Sequence, residues 1–394
     1  MFCHQRSSSH QRAFSLIEML VLIAIIGTAV SLLIPSILAA RESSRKMTCA
    51  NNMRQFLVAV AVYHDSHNSL PAASGIVNFD SPPPTASMHY STHFHLLPFL
   101  GETERYQKVI DSKVRLFVEA KHPGLSGVIP MFLCPTDPNG TKPGEFTDFA
   151  NETPTGTART NIMTCRGDFA YHNANNRLPY MLVVGNQRAP FHVAVSGSTP
   201  YTDSPTHNIW KNYNDITDGL ACTMAISEAV SADSSDPRNI RGAVAHVTLV
   251  KGDTQSYACR PSLCGAAILN PKDKNQIHLT VPLTRNNCYR GQIFSDGRPA
   301  RTGFCAMLPP NSPSCGHRPS DSHNGFGIWS ASSYHPGGIN AGFFDGSVHF
   351  VSETVHCGDI DSNEQYEGPS KYGVWGGMAT TNGTEKFQPE MLQN

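Results

Sequence analysis

The sequence predicts an α+β protein, with one long N-terminal membrane-spanning helix followed by a β-rich, loop-rich, disulfide-bonded head. Three observations lead there. Residues 20–38 read LVLIAIIGTAVSLLIPSIL, nineteen residues without a charge. After Pro71 the composition changes, and Pro, Gly, Ser, Asn and Thr recur every few residues in a chain of 394 that holds 31 Gly and 28 Pro. Such a composition favours turns and short strands over a helical bundle. Finally, there are eleven cysteines and no CxxC. They fit no familiar zinc module and point to disulfides in an oxidising compartment. Spacing leaves the pairing open; Cys305/Cys315 and Cys259/Cys264 are the pairs that close short loops.

Charge excludes some functions at once. Lys and Arg number 30 against 31 Asp and Glu, so the formal net charge is -1. No broad basic face is available for phosphate-driven nucleic-acid binding. Disorder needs high net charge and few apolar residues, and this chain is 40% apolar.

The elements follow in order. Residues 1–13 form a polar, weakly basic stretch. The apolar run behind it has the length of a bilayer span and exceeds the roughly 7–15 residues of a secretory h-region. Its entrance is Phe14-Ser15-Leu16-Ile17-Glu18. A carboxylate at the mouth of an apolar helix costs about 2.5–3.5 kcal/mol at mid-membrane and less near an interface. Cleavage before Phe14 would create an ammonium that Glu18 of a neighbouring chain could neutralise. Pro35 should kink or locally open the helix.

Beyond the span, residues 39–67 contain neither Pro nor Gly. Cys49, Met53, Phe56, Val60 and Tyr63 fall on one face, widened by Ala50, Leu57 and Ala61. The helix is expected to end at Asn68-Ser69-Leu70-Pro71. The organisation is thus a leader 1–13, a long helix 14–70 (span 14–38, amphipathic continuation 39–67) and a head 71–394. In the head, residues 95–109 read as helix, and 131–133, 180–184 and 243–247 read as strands. Residues 253–320 read as loop. Asp345-Gly346 between two apolar stretches signals a two-residue hairpin turn of type I′, with positive φ at both positions, within 333–352.

Two resemblances attach to these residues. Arg12-Ala13-Phe14-Ser15-Leu16-Ile17-Glu18, the apolar run and Pro35 resemble a type IV prepilin or type II secretion pseudopilin, with Ala13 where that family usually has Gly. The resemblance implies a bacterial inner-membrane protein with its leader in the cytoplasm and its head outside. It implies cutting and methylation at Phe14 by a prepilin peptidase/methyltransferase, with membrane lipid and other pilin or pseudopilin subunits as partners. Flanking charge alone argues the other way: Arg41, Arg45, Lys46 and Arg54 outnumber Arg6 and Arg12. The cysteine load favours the exported head.

The stretch His335 to Gly346 resembles the H-X9-DG element of a prepilin-like family of unknown function, sometimes filed with extracellular solute-binding proteins. Residues 49–55, 63–65, 97–100, 132–138, 308–315 and 374–376 match its other pieces, and so do 215–219 with Glu228. The resemblance fixes architecture better than activity.

Little enzymatic chemistry is visible. A phosphate loop, GxGxxG, GxSxG and HExxH are all missing, so the chain is not expected to be an enzyme. His335 and Asp345 read as a hairpin motif, since no nucleophile accompanies them. His89, His93 and His95 are too ordinary a cluster to argue for a metal. Asp215, Asp218 and Glu228 are the candidate ligands for calcium. The leading expectation is a structural subunit assembled through its N-terminal helix into a pilus or pseudopilus. The alternative is a membrane-anchored solute- or glycan-binding module that does not polymerise.

Overall fold

A computed structural model describes residues 15–75, 90–112, 122–144, 156–170, 188–191, 211–233, 235–247, 260–265, 268–283, 290–316, 327–365, 367–385 and 391. It is α+β, and it divides into two compact units, residues 1–45 and 46–394.

From Leu16 on, the described part of the first unit, residues 15–45, belongs to one helix. That helix, α1, spans Leu16–His67 without interruption and has Pro35 inside it. Its 52 residues give about 78 Å at 1.5 Å per residue. The apolar side chains from Leu16 to Leu38 are exposed, and this stretch is long and apolar enough to cross a membrane. Pro35 offers no N–H to the helix ladder. Nearby, the Ser31 and Ser36 hydroxyls donate back to the carbonyls of Thr28 and Leu33, each at 2.8 Å.

The second unit takes in the rest of α1 together with the head. Cys49, Met53, Phe56, Leu57, Ala59 and Val60 are buried, as the expected stripe requires, while Tyr63 is half-buried. The helix stops where Asn68 adopts a left-handed φ of 54° and its N–H bonds the His64 carbonyl at 2.7 Å.

The head is built from short strands. In chain order they are β1 Ser74–Gly75, β2 Tyr90–Ser91, β3 Ile162–Cys165, β4 Met224–Glu228, β5 Val244–His246, β6 Leu269–Asn270, β7 Asp273–Ile277, β8 Gly303–Phe304, β9 Ser314–Gly316, β10 Gly327–Ile328, β11 Gly338–Phe343 and β12 Val348–Ser352. A five-stranded sheet has the order β12-β11-β4-β3-β8, and a three-stranded sheet the order β10-β9-β5. Pairing in the larger sheet is antiparallel except for β3 with β8.

This larger sheet separates two apolar cores. Neighbouring residues of β3 feed opposite sides, as the pleat demands. Ile162 joins Phe56, Leu57, Val60, Phe94 and Phe132 on the α1 side. Met163 joins Met224, Phe304, Phe343, Val351 and Trp375 on the other. Gly342 of β11 marks how closely the helix lies on the sheet. A Cβ there would stand 2.8 Å from Leu57 Cδ1 and 2.9 Å from Ile226 Cγ1.

Buried arginines fasten the irregular segments. The Arg166 guanidinium donates to the carbonyls of Ala73 and Gly297, at 3.1 and 2.7 Å. Arg159 reaches Ser231 Oγ at 2.9 Å and the Pro143 carbonyl at 3.0 Å. Arg188 grips Asp168 through two 2.8 Å bonds. Such charges are costly to bury; Arg166 makes both of its bonds through Nη2, while its buried Nε and Nη1 have no hydrogen-bond partner among the described residues.

Several local expectations need correction. Residues Pro130–Phe132 form a 3-10 turn, not a strand, because Pro130 supplies no donor for a sheet ladder. The 95–109 helix is broken into α2 Thr92–Leu96, a 3-10 turn Leu97–Leu100 and α3 Thr103–Asp111, since Gly101 turns left-handed at φ 80°. The stretch 253–320 is not all loop, for it carries β6 to β9. The strand expected at 180–184 lies outside the described residues. The hairpin expected within 333–352 is β11–β12, but its connection is not a type I′ turn. Gly346 has φ 87° while Asp345 is not at positive φ, and the Asp345 carboxylate instead accepts the Ser347 N–H at 2.9 Å.

Phe56 tests the helix–head core. Its ring centroid lies 4.9 Å from His93 and 6.2 Å from Phe132. In denaturant titration of the detergent-solubilised chain, Phe56→Ala is expected to cost about 3–5 kcal/mol. Val58→Ala, at a residue 61% exposed, should stay within about 0.5 kcal/mol. Equal losses would contradict the packing.

Candidate functional site

Four segments that are distant in sequence deliver one side chain each to a single buried point. Cys49 comes from the amphipathic half of α1, as its first buried residue. Cys134 follows the 3-10 turn Pro130–Phe132. Glu228 is the last residue of β4, and His335 lies in the turn before β11. Their ligand atoms all fall within 4.8 Å of one another, and all four residues are buried.

The two cysteines form a disulfide with a sequence separation of 85. His335 Nε2 stands 3.2 Å from Cys49 Sγ, 3.3 Å from Cys134 Sγ and 3.6 Å from Glu228 Oε1. A second disulfide joins Cys264 to Cys315. The short-loop pairs Cys305/Cys315 and Cys259/Cys264 are therefore excluded, because Cys264 and Cys315 are bonded to each other. Cys315 lies in β9, whose neighbours are β5 and β10, and Cys264 packs into the same apolar core.

A polar shell orients the cluster. Asn340 donates to Glu228 twice, from its backbone N–H at 3.1 Å and from Nδ2 at 2.7 Å. Thr136 Oγ1 is 3.4 Å from His335 Nδ1. The Cys134 N–H donates to Asn161 Oδ1 at 2.9 Å. Asn161 Nδ2 in turn donates to Asp137 and to the Ala229 carbonyl, at 2.5 and 2.9 Å. Burial pushes the Asp137 carboxyl up from its ordinary range, against the opposing pull of bonds from Asn139, Ser231 and Asn161. Asn52, one turn after Cys49, donates to the Leu133 carbonyl at 2.9 Å, a second tie between α1 and the Cys134 segment. Beside the disulfide runs a groove of about 800 Å³ whose walls include Thr48, Asn52, Met131, Leu133 and Cys134.

The cluster gathers residues that the sequence treated separately. Cys49, Cys134, Glu228 and His335 each belong to a motif piece, yet nothing in their spacing joins them. Asn161 and Asn340 were missed; Asn340 sits inside the His335–Asp345 stretch, which is the one signal that could have found it.

Other candidates lie elsewhere. Asp345 is exposed at the hairpin turn while His335 is buried. Asp215 caps a 3-10 turn by accepting the Asn212 N–H. Asp218 accepts N–H bonds from Gly383 and Thr384 at 2.7 and 2.9 Å, tying down the 380–384 segment. Among the described residues, the His/Cys/Asp/Glu group that converges contains Glu228 and neither aspartate. Glu18 lies in the first turn of α1 and accepts the Ser15 N–H at 2.8 Å. Ala13, Phe14 and His89 are outside the described residues. His93 is a core residue with Nε2 2.8 Å from the Ile162 carbonyl.

A family model matches residues 38–357. The chain belongs to the family described as "Protein of unknown function (DUF1559)". All four cluster residues of this DUF1559 chain lie inside the matched span. Most of the apolar run precedes it, so the match bears on the head. No curated protein and no solved structure matches the chain.

Two predictions follow from this chemistry. Replacing both Cys49 and Cys134 by Ala should cost about 2–5 kcal/mol, since the bond closes a long loop in the unfolded chain. A denaturation midpoint equal to wild type would contradict a formed bond. The second concerns acid. Burial pushes the His93 imidazole down to about 3 and the His95 imidazole down to about 4. In the unfolded chain each takes up a proton near pH 6.5. From there down to about 4 the unfolded state binds more protons, so stability falls as pH falls, by up to about 1.4 kcal/mol per unit for each histidine. His95→Gln should make that fall shallower by about this amount near pH 5; unchanged slopes would mean that His95 protonates while folded.

Proposed function

We propose that this DUF1559 chain is a prepilin-like structural subunit. It is cut before Phe14 by a prepilin peptidase, inserts once in the bacterial cytoplasmic membrane with its head on the far side, and assembles through its N-terminal helix into a pilus or type II secretion pseudopilus. The observation that carries this reading is the continuity of α1. A single helix is apolar and exposed over Leu16 to Leu38 and amphipathic with one buried face from Cys49 to Val60. An exposed apolar helix has to be covered by lipid or by other helices, and a filament core supplies the second. The two disulfides favour an oxidising compartment for the head. Glu18, at the entrance of the apolar stretch, is the carboxylate that a neighbouring chain's new Phe14 ammonium would neutralise.

The groove beside the Cys49–Cys134 disulfide supports a second reading, an anchored module that binds a solute or glycan. Under that reading the chain stays monomeric and a ligand from a broad glycan and peptide panel raises its melting temperature.

The mass of the N-terminal peptide of membrane-extracted protein tests the first reading. The expected peptide begins at Phe14 and carries one added methyl group. Glu18→Ala should leave the chain in the membrane but abolish its recovery in sheared filaments. An intact leader, or filaments unaffected by Glu18→Ala, would overturn it.

A further inference from the structure

The geometry points to a redox-gated zinc site: when the Cys49–Cys134 bond is reduced, both sulfurs, His335 Nε2 and a Glu228 oxygen bind one Zn²⁺ ion. This inference stands apart from filament assembly.

The donor set is the first argument. Two thiolates, an imidazole and a carboxylate are the ligand types of tetrahedral zinc, and soft sulfur selects against calcium and magnesium. The distances are the second. With Zn–S of about 2.3 Å and Zn–N or Zn–O of about 2.0–2.1 Å, the edges of a tetrahedron are about 3.3–3.6 Å between unlike ligands. His335 Nε2 lies 3.2, 3.3 and 3.6 Å from Cys49 Sγ, Cys134 Sγ and Glu228 Oε1. Three of the six edges therefore stand within a few tenths of an ångström of their final length. The sulfur–sulfur edge has to open, from a covalent bond to about 3.8 Å.

The surrounding bonds suit an ion. Thr136 Oγ1 faces His335 Nδ1 at 3.4 Å; with the ring proton on Nδ1, the Nε2 lone pair points at the cluster. Asn340 holds the Glu228 carboxylate through two donors. Partners of this kind fix ligand orientation at zinc sites. The four side chains come from four separate segments, so each variant removes one ligand from a different part of the fold.

Access and balance are also provided. Cys134 lines the groove beside α1, which is the side from which a dithiol reductant would approach it. Thiol–disulfide exchange passes two electrons and two protons from the dithiol to Cys49 and Cys134, and the reductant leaves as its own disulfide. Zn²⁺ then displaces both thiol protons to solvent. The two states exclude each other, because a sulfur in a disulfide is not a thiolate ligand.

The test uses the full chain in detergent, reduced anaerobically with a dithiol and desalted, beside the oxidised chain. Zinc alone and cobalt alone are the probes. The reduced chain should retain one more equivalent of zinc than the oxidised chain. Cobalt should give intense visible bands of tetrahedral geometry with a thiolate charge-transfer band. One equivalent of zinc should slow alkylation of Cys49 and Cys134 at least tenfold while the half-buried Cys222 still reacts at its former rate. His335→Ala should weaken zinc binding at least tenfold, whereas Cys264→Ser with Cys315→Ser retains it. No extra equivalent, a weak octahedral cobalt spectrum, or protection of other cysteines would overturn the site. If His335→Ala fails to fold, the wild-type alkylation pattern decides.

Discussion

The disulfide between Cys49 and Cys134 is the bond on which the head depends. It fastens the amphipathic half of α1 to the segment after Pro130, and that segment carries the loop of Thr136 and Asp137. From there the contacts spread to β4 through Glu228 and to β11 through His335 and Asn340. Four pieces of chain separated by many residues thus share one buried, polar point. Buried polar groups are tolerable only when their partners are in place, so the cluster holds the register of the segments that meet there as well as their proximity.

A second constraint is the shortness of the strands. The longest among the described residues, β11, has six residues, and much of the described head is irregular. Backbone groups left outside ladders must still be satisfied. The buried guanidinium groups of Arg159, Arg166 and Arg188 meet part of that demand by donating to carbonyls and carboxylates across the loops. The five-stranded sheet then acts as a partition. The α1 side is closed by Phe56, Leu57 and Val60, and the close approach at Gly342 needs the residue without a side chain.

Much of this was legible in the sequence. The nineteen uncharged residues, the 4-3-4-3 spacing from Cys49 to Tyr63 and the density of Gly and Pro after residue 71 are local signals, and each maps onto the element it predicts. The hairpin at Asp345-Gly346 was legible for the same reason, though its turn type was not, because Asp345 caps the turn with its own side chain. The cluster was not legible. Its members meet only in the tertiary fold, over separations such as the 85 residues between Cys49 and Cys134, and loop-length reasoning pointed instead to Cys305/Cys315. The compact unit also begins at residue 46, since half of the helix belongs to the head's core. Family membership over residues 38–357 fits that division, as it starts just before the buried half of the helix.

The most direct measurement is a peptide map of the full chain, alkylated before digestion and run without reduction. The account predicts that the peptide carrying Cys49 is recovered cross-linked to the peptide carrying Cys134, with Cys264 linked to Cys315. Recovery of Cys49 cross-linked to any other cysteine would contradict it, because the helix would then be fastened to a different part of the head.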